Sequence, residues 1–337
     1  MRIAFDEMQA AIRAALLAAG MPADKAEICA RIHTESSRDG VYSHGLNRVP
    51  GIVKNLHDGW IDPLAEPTLV RAFGCMENRD GNLGPGIPNA LHSMDRAMAL
   101  AADHGIGLVA LRNTTHWLRG GTYAWQAADR GFLSICWTNS EPCMPAWGSK
   151  YANTGNNPLC VGIPGKNGHL VLDMAMSLYS YGKLETTTLA GKELPYPGGY
   201  DADNNLSNDP AAIMRSQRLL PAGLWKGSGL AVALDLAGAI LSDGINTAEI
   251  AKKGMGNSGC SQVFIAINPE LFCTRDRIEE LLAETRESLH SAEPAAAGEH
   301  VTTPGERTLE TREENTRLGI PVDPAKWARV RELAGLR

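Results

Sequence analysis

The chain lacks an excess of positive charge. Lys and Arg total 32 against 38 Asp and Glu, a formal net charge of −6 over 337 residues. Nucleic-acid-binding proteins usually carry a basic domain or stripe, so the composition argues against that class. It leaves an anionic small molecule open, because one arginine in a pocket outweighs a diffuse surface charge. No apolar run is long enough to span a bilayer; the longest, Gly229 to Leu241, contains Asp235. The first twenty residues do not read as a signal peptide, since Asp6, Glu7 and Arg13 interrupt the apolar segment. The seven cysteines include no CxxC pair. An odd count in a large chain reads as reduced thiols in a cytoplasmic protein, and without close ligand pairs a zinc site is not expected. No GxxxxGK(S/T) loop and no internal repeat occurs. These absences predict a cytoplasmic protein with no metal, membrane or nucleic-acid partner.

What is present is globular: 44% hydrophobic and 21% charged residues. The length suits about two domains. Met8, Ile12, Ala15, Leu16 and Ala19 recur at helical spacing and stop at Gly20 and Pro22. A second helix is predicted over Ala23–Ser37. A third, over Leu46–Leu56, should be kinked by Pro50. Strands are expected at Thr68–Phe73, Ile106–Leu111, Phe132–Trp137, Leu159–Ile163, Leu170–Met174 and Gln262–Ile267. Helices are expected at Pro88–His104, Thr122–Arg130 and Ser228–Leu241. The stretch from Ala292 to Gly305 reads as a connector followed by two helices. Mixed strands and helices indicate an α/β fold. The boundaries drawn are a helical part at 1–65, joined by 306–337, and an α/β part at 66–305.

Two glycine patterns mislead. Gly254 to Gly259 matches GxGxxG, and Gly105 to Ala110 matches GxGxxA. A dinucleotide fingerprint follows a strand and opens a helix. Both matches here follow a helix and lead into a strand, so each reads as a helix C-cap with a turn, and a Rossmann domain is not supported. Trp225-Lys226-Gly227-Ser228-Gly229 has the better polarity, because it opens a helix. An anion site and a tightly packed helix start are equally good readings of it.

The polar clusters carry the chemistry. In Asp39-Gly-Val-Tyr-Ser-His-Gly-Leu-Asn-Arg48, a helix capped by Ser43 would put His44 and Arg48 on one face. Arginine binds a carboxylate through two parallel hydrogen bonds, and a nearby histidine can exchange a proton near neutral pH. A packed His44 and a solvated Arg48 fit the same spacing. Asn113-Thr-Thr-His116-Trp-Leu-Arg-Gly-Gly121 follows a predicted strand and offers a second acid–base histidine. A loop histidine stacked on Trp117 is the plainer reading. Trp137 to Ser140 and Thr154 to Pro158 end or begin β runs, and Asp173 interrupts an apolar strand, where a carboxylate needs a partner if buried.

Taken together and in order, DGVYSHGLNR, ALRNTTHWLRGG, CWTNS, GNNPL, LVLDMA and PAGLWKGSG resemble the malate/L-lactate dehydrogenase family that lacks a Rossmann fold. The resemblance covers essentially the whole chain. It implies a non-Rossmann nucleotide-binding sheet beside a helical part built from the chain termini. It also implies a homodimer and an NADH-dependent reductase of 2-oxo acids, with NADPH as the alternative cofactor. By position, His44, His116 and Asp173 take catalytic roles, with His44 the proton donor. Ser43, Arg48 and Asn113 bind substrate. The cofactor contacts fall on Ser140, on His169, Leu170, Val171, Leu172, Asp173, Met174 and Ala175, on Trp225 and Lys226, and on Gly305, Glu306 and Arg307. Within the family, malate, lactate, ureidoglycolate and cyclic imino acids are alternative substrate classes. A noncatalytic binder of sugar acids is the alternative outside it.

Overall fold

A computed structural model describes residues 1–296 and 299–336. Its centre is a seven-stranded sheet in the order Thr68–Phe73, Met76–Asp80, Ile106–Thr115, Ser258–Ile267, Leu133–Thr138, Leu159–Ile163 and Leu170–Met174. Only the pair Met76–Asp80 and Ile106–Thr115 runs parallel; every other neighbour is antiparallel. A parallel pair needs a crossover, and the helix Gly86–His104 supplies it. The sheet is therefore not the parallel, doubly wound kind.

Alternation along the strands sends side chains to two cores. Val109 and Leu111 join Phe264 and Ala266 under the helices Gly86–His104 and Gly121–Asp129. Ala110 and Val263 face the other way, toward Ala231 and Leu234 of the helix Trp225–Ser242. A third core is helical. It joins Phe5–Ala18, Ala23–Arg38 and Val49–His57 to Trp327 and Val330 near the C-terminus. The two chain ends also pair as short strands, Arg2–Ile3 with Ile320–Pro321.

One carboxylate ties these parts. Asp39, 4% exposed, accepts from Arg119 at 2.6 Å and from Arg312 at 2.9 and 2.8 Å. Burial works against its charge, but Arg312 and Arg119 hold its pKa below the usual carboxylate range. Among the described residues, no single helix is long and apolar enough to cross a membrane. All seven cysteines are free.

Several local expectations are corrected. Pro50 sits in the first turn of Val49–His57, where its missing N–H costs nothing, so it starts the helix instead of kinking it. The segment before it forms two short 3-10 turns, Tyr42–His44 and Leu46–Arg48, and no helix is capped by Ser43. The strands Ile106–Thr115 and Ser258–Ile267 extend beyond their apolar cores. Gly254 and Gly105 do cap helices, with φ of 64° and 85°.

Burial of His33 makes the fold acid-sensitive. Its side chain is 0% exposed, and burial, the largest cause, lowers its pKa from 6.5 to about 4. The native state keeps it neutral while the unfolded chain binds a proton below pH 6.5. Stability is thus full above pH 6.5 and is lost as pH falls toward 4. His33 alone accounts for roughly 3 kcal/mol of that loss. Urea unfolding at pH 7 and pH 4 should show a fall of at least about that size. Equal unfolding free energies would contradict it.

Candidate active site

The segment 42–48 is shaped by what it docks on. The ring nitrogen Nδ1 of His33 lies 3.0 Å from the Gly45 carbonyl, and Ser37 Oγ accepts the Leu46 N–H at 2.9 Å. A Cβ at position 45 would lie 2.0 Å from Ser37 Oγ and 2.9 Å from its backbone nitrogen, so only glycine fits this approach. The break at Gly45 turns His44 and Arg48 toward one cleft of about 470 Å³.

Two histidines meet there. The His44 and His116 rings stack with centroids 5.8 Å apart and planes at 16°. Their hydrogen bonds divide the work. Nδ1 of His116 accepts the Leu118 N–H at 2.9 Å, so its proton resides on Nε2 and a second proton would break that bond. His116 is therefore a neutral hydrogen-bond donor. Nδ1 of His44 lies 3.0 Å from Ser43 Oγ, a hydroxyl that accepts as readily as it donates. His44 can be neutral or doubly protonated. Its pKa is lowered from 6.5 to about 4 by burial first and by Arg48 next, while Asp173 pulls it up. His116 is pushed well below 6.5, chiefly by burial. The Arg48 guanidinium also lines the cleft and makes no hydrogen bond or ion pair among the described residues.

Asp173 is brought to the same cleft but orients neither histidine. Its carboxylate accepts the Gly121 N–H at 3.0 Å and the Cys160 thiol at 3.2 Å. Its effect on His44 is through charge.

The opposite wall is backbone-rich. Gly120 and Gly305 stand before the helices Gly121–Asp129 and Glu306–Leu318, and both line the cleft. Helix starts favour negative charge. Gly305 has φ of 102°, and a Cβ there would lie 3.1 Å from the backbone nitrogen of Val171. A Cβ at Gly121 would lie 2.6 Å from the Asp173 carboxylate. The buried Arg119 Nε has no hydrogen-bond partner. The glycines let these helix starts pack against Val171 and against the Asp173 carboxylate, which takes the Gly121 N–H and lies 3.9 Å from Arg119 Nε.

The expected site residues divide accordingly. Ser43, His44, Arg48, His116, Ser140, Val171, Leu172, Asp173, Ala175 and Gly305 line the cleft. The others lie elsewhere for identifiable reasons. Asn113, with φ of 50°, spends its amide on Asp80 at 3.1 Å. His169 accepts from Gly165 through Nδ1, and its Nε2 lies 2.9 Å from Asp129, in a neighbouring pocket. Leu170 and Met174 do not line the cleft, and Met174 packs against the core beside Trp137. Glu306 bonds Thr303 and His290, and Arg307 does not reach the cleft. Trp225 and Lys226 are exposed at their helix start, away from this chain's cleft.

Several cleft residues escaped the sequence reading, Arg119, Gly120, Thr308, Glu141 and Asn257 among them. Glu141 and Asn257 line the cleft and clasp each other: the Glu141 N–H donates to Asn257 Oδ1 at 2.7 Å, and Asn257 Nδ2 donates to Glu141 Oε1 at 3.0 Å. Asn257 lies inside the GxGxxG look-alike. The signal for Glu141 was a carboxylate directly after the flagged Ser140.

The chain belongs to the malate/L-lactate dehydrogenase family, whose model matches residues 3–331, and that membership makes it an oxidoreductase. The chain is 43% identical to a 2,3-diketo-L-gulonate reductase of Citrobacter koseri over 333 residues, covering 99% of this chain and all of that one. A protein of the same description from Escherichia coli K12 is 42% identical over the same span, with the same coverage. Among solved structures, malate dehydrogenase from Pyrococcus horikoshii superposes with a TM-score of 0.91 at 26% identity, covering 100% of this chain and 96% of that one.

Proposed function

We propose that the protein is a cytoplasmic, homodimeric, NADH-dependent reductase that converts 2,3-diketo-L-gulonate to 3-dehydro-L-gulonate. The observation that carries this reading is the unpaired Arg48 beside the stacked His44 and His116. Arg48 takes the C1 carboxylate through paired hydrogen bonds. Nε2–H of His116 donates to the substrate carbonyl. His44 gives its proton to the C2 oxygen.

Protonation of His44 is coupled to substrate. Arg48 depresses the His44 pKa in the free protein, and a carboxylate on Arg48 cancels that push. The proton then arrives with the substrate. Arg119, Gly120, Ser140, Val171 to Asp173, Ala175, Gly305 and Thr308 would hold the nicotinamide dinucleotide. When bound, the cofactor supplies the hydride; NADPH is the alternative. The cleft lies between a helical part, 1–65 with 306–337, and the α/β part, 66–305. Homodimer formation is supported by the exposed apolar face of Trp225–Ser242, where Ile240 is 75% exposed.

The reading is tested by following NADH oxidation with 2,3-diketo-L-gulonate, pyruvate and oxaloacetate, with NADPH as control. Turnover with NADH and the diketo acid at the highest kcat/KM supports it. Equal or better use of oxaloacetate would replace the substrate. The pH dependence has a definite sign. With His44 near 4 in the free enzyme, its protonated fraction falls about tenfold per pH unit above pH 5, and kcat/KM for reduction should fall with it. A profile rising with pH would contradict His44 as the acid.

A further inference from the structure

Beyond the neck formed by Arg48, His116, Leu118, Glu141 and Asn257 lies a second chamber of about 240 Å³. Its walls are mostly apolar: Met21, Ile52, Ile61 and Ile87, with Trp60 among them. Two polar side chains in this lining, those of Glu141 and Asn55, are not used by the mechanism above. Oε2 of Glu141 has no partner among the described residues, while Oε1 is fixed by Asn257. The Asn55 side-chain amide also has none; only its backbone carbonyl is engaged, by Trp60 and Ile61. An indole, a free amide and an oriented carboxylate suit one kind of ligand. Rings offer a face to C–H groups, and the amide and carboxylate give and take hydrogen bonds with hydroxyls.

We propose that this inner chamber is the recognition site for the hydroxylated tail of the substrate, with Glu141 and Asn55 as the specificity-determining pair. The proposal rests on the reading of the neck as the place where a 2-oxo acid head is held. With the head on Arg48 and His116, carbons beyond C3 extend past Glu141 into the chamber. Glu141 and Asn55 both reach solvent in the free protein, so a substrate without hydroxyls would displace their water and give them no partner in return. Sites built to bond a hydroxyl discriminate strongly against analogues that lack it, for that reason.

The test compares 2,3-diketo-L-gulonate with 2,3-dioxohexanoate, which keeps the carbons and both ketones but lacks the hydroxyls on C4, C5 and C6. The readout is the ratio of the two kcat/KM values. The unaltered enzyme should favour the hydroxylated acid by at least about 100-fold. Glu141→Leu and Asn55→Leu should each lower that ratio by about tenfold or more. Glu141→Gln keeps its oxygen on Asn257 and turns an N–H₂ toward the substrate, whose hydroxyl can accept from it; it should fold with the clasp intact and retain most of the ratio. A ratio unchanged in Glu141→Leu and Asn55→Leu, whether or not both rates fall together, would overturn the proposal. Calorimetric titration of both acids in the presence of NAD⁺ separates the two readings. If no acid is turned over, the reductase reading fails. The chamber then stands only if the hydroxylated acid binds more tightly and Glu141→Leu abolishes the difference.

Discussion

Replacing His44 with asparagine should lower kcat by about 10²–10⁴-fold, the usual contribution of a positioned general acid. The amide keeps a similar shape and a hydrogen-bonding group beside Ser43, so the loss isolates the proton. His116 cannot take over. Its Nδ1 is committed to the Leu118 N–H, and giving up the Nε2 proton from a neutral ring would leave an anion in a buried site. The fall of kcat/KM with rising pH should also flatten in this variant. Single-turnover oxidation of NADH in His44→Asn checks both. Turnover within about threefold of the unaltered enzyme would remove His44 from the mechanism.

Replacing Arg48 with methionine should lower kcat/KM for a 2-oxo acid by about 10²–10⁴-fold, the worth of two hydrogen bonds between charged partners. Arg48 has no partner among the described residues, so its removal strands no paired buried charge that would cost stability. The protein should therefore unfold at a nearly unchanged urea concentration. A substrate whose carboxylate is replaced by a neutral amide identifies the contact: it should lose little on going from the unaltered enzyme to Arg48→Met. Equal losses on both substrates would show that Arg48 acts elsewhere. The variant also raises the free-enzyme pKa of His44, since Arg48 is among its depressing causes.

Much of this architecture was readable from the chain because local signals agreed with the fold. The strands Leu159–Ile163 and Leu170–Met174 are short apolar runs between turns, and they fold as read. The helix Gly86–His104 ends where Gly105 takes a left-handed conformation. The strand Met76–Asp80 gave no such signal. Its sequence, Met-Glu-Asn-Arg-Asp, is polar, and its Glu77 is buried only because Arg79 and Arg96 pair with it. The helix Arg275–His290 was passed over for a similar reason: it is a charged surface helix with Leu282 as its one buried residue.

At the site, residue identity was more legible than geometry. His44, Arg48 and His116 converge, but the turns that bring them together depend on His33 and Ser37 of another helix, a contact no local spacing encodes. The run from 169 to 175 was read as one cofactor contact. Only Val171, Leu172, Asp173 and Ala175 line the cleft, because His169 turns to Asp129 and Met174 packs on the core. Asn113 looked available because it follows an apolar run next to His116, yet it sits at an irregularity within the strand Ile106–Thr115, where its positive φ and its bond to Asp80 take its amide away from the cleft.

Direct hydride delivery to C2 of a 2-oxo acid held by Arg48 and protonated by His44 is the centre of this account. The most direct measurement uses NADH carrying deuterium at the transferable C4 position, with 2,3-diketo-L-gulonate in ordinary water and the product read by NMR. The account predicts one deuterium on C2 of 3-dehydro-L-gulonate and none on its oxygen or in solvent. Deuterium at C3, or its loss to water with unlabelled product, would contradict it.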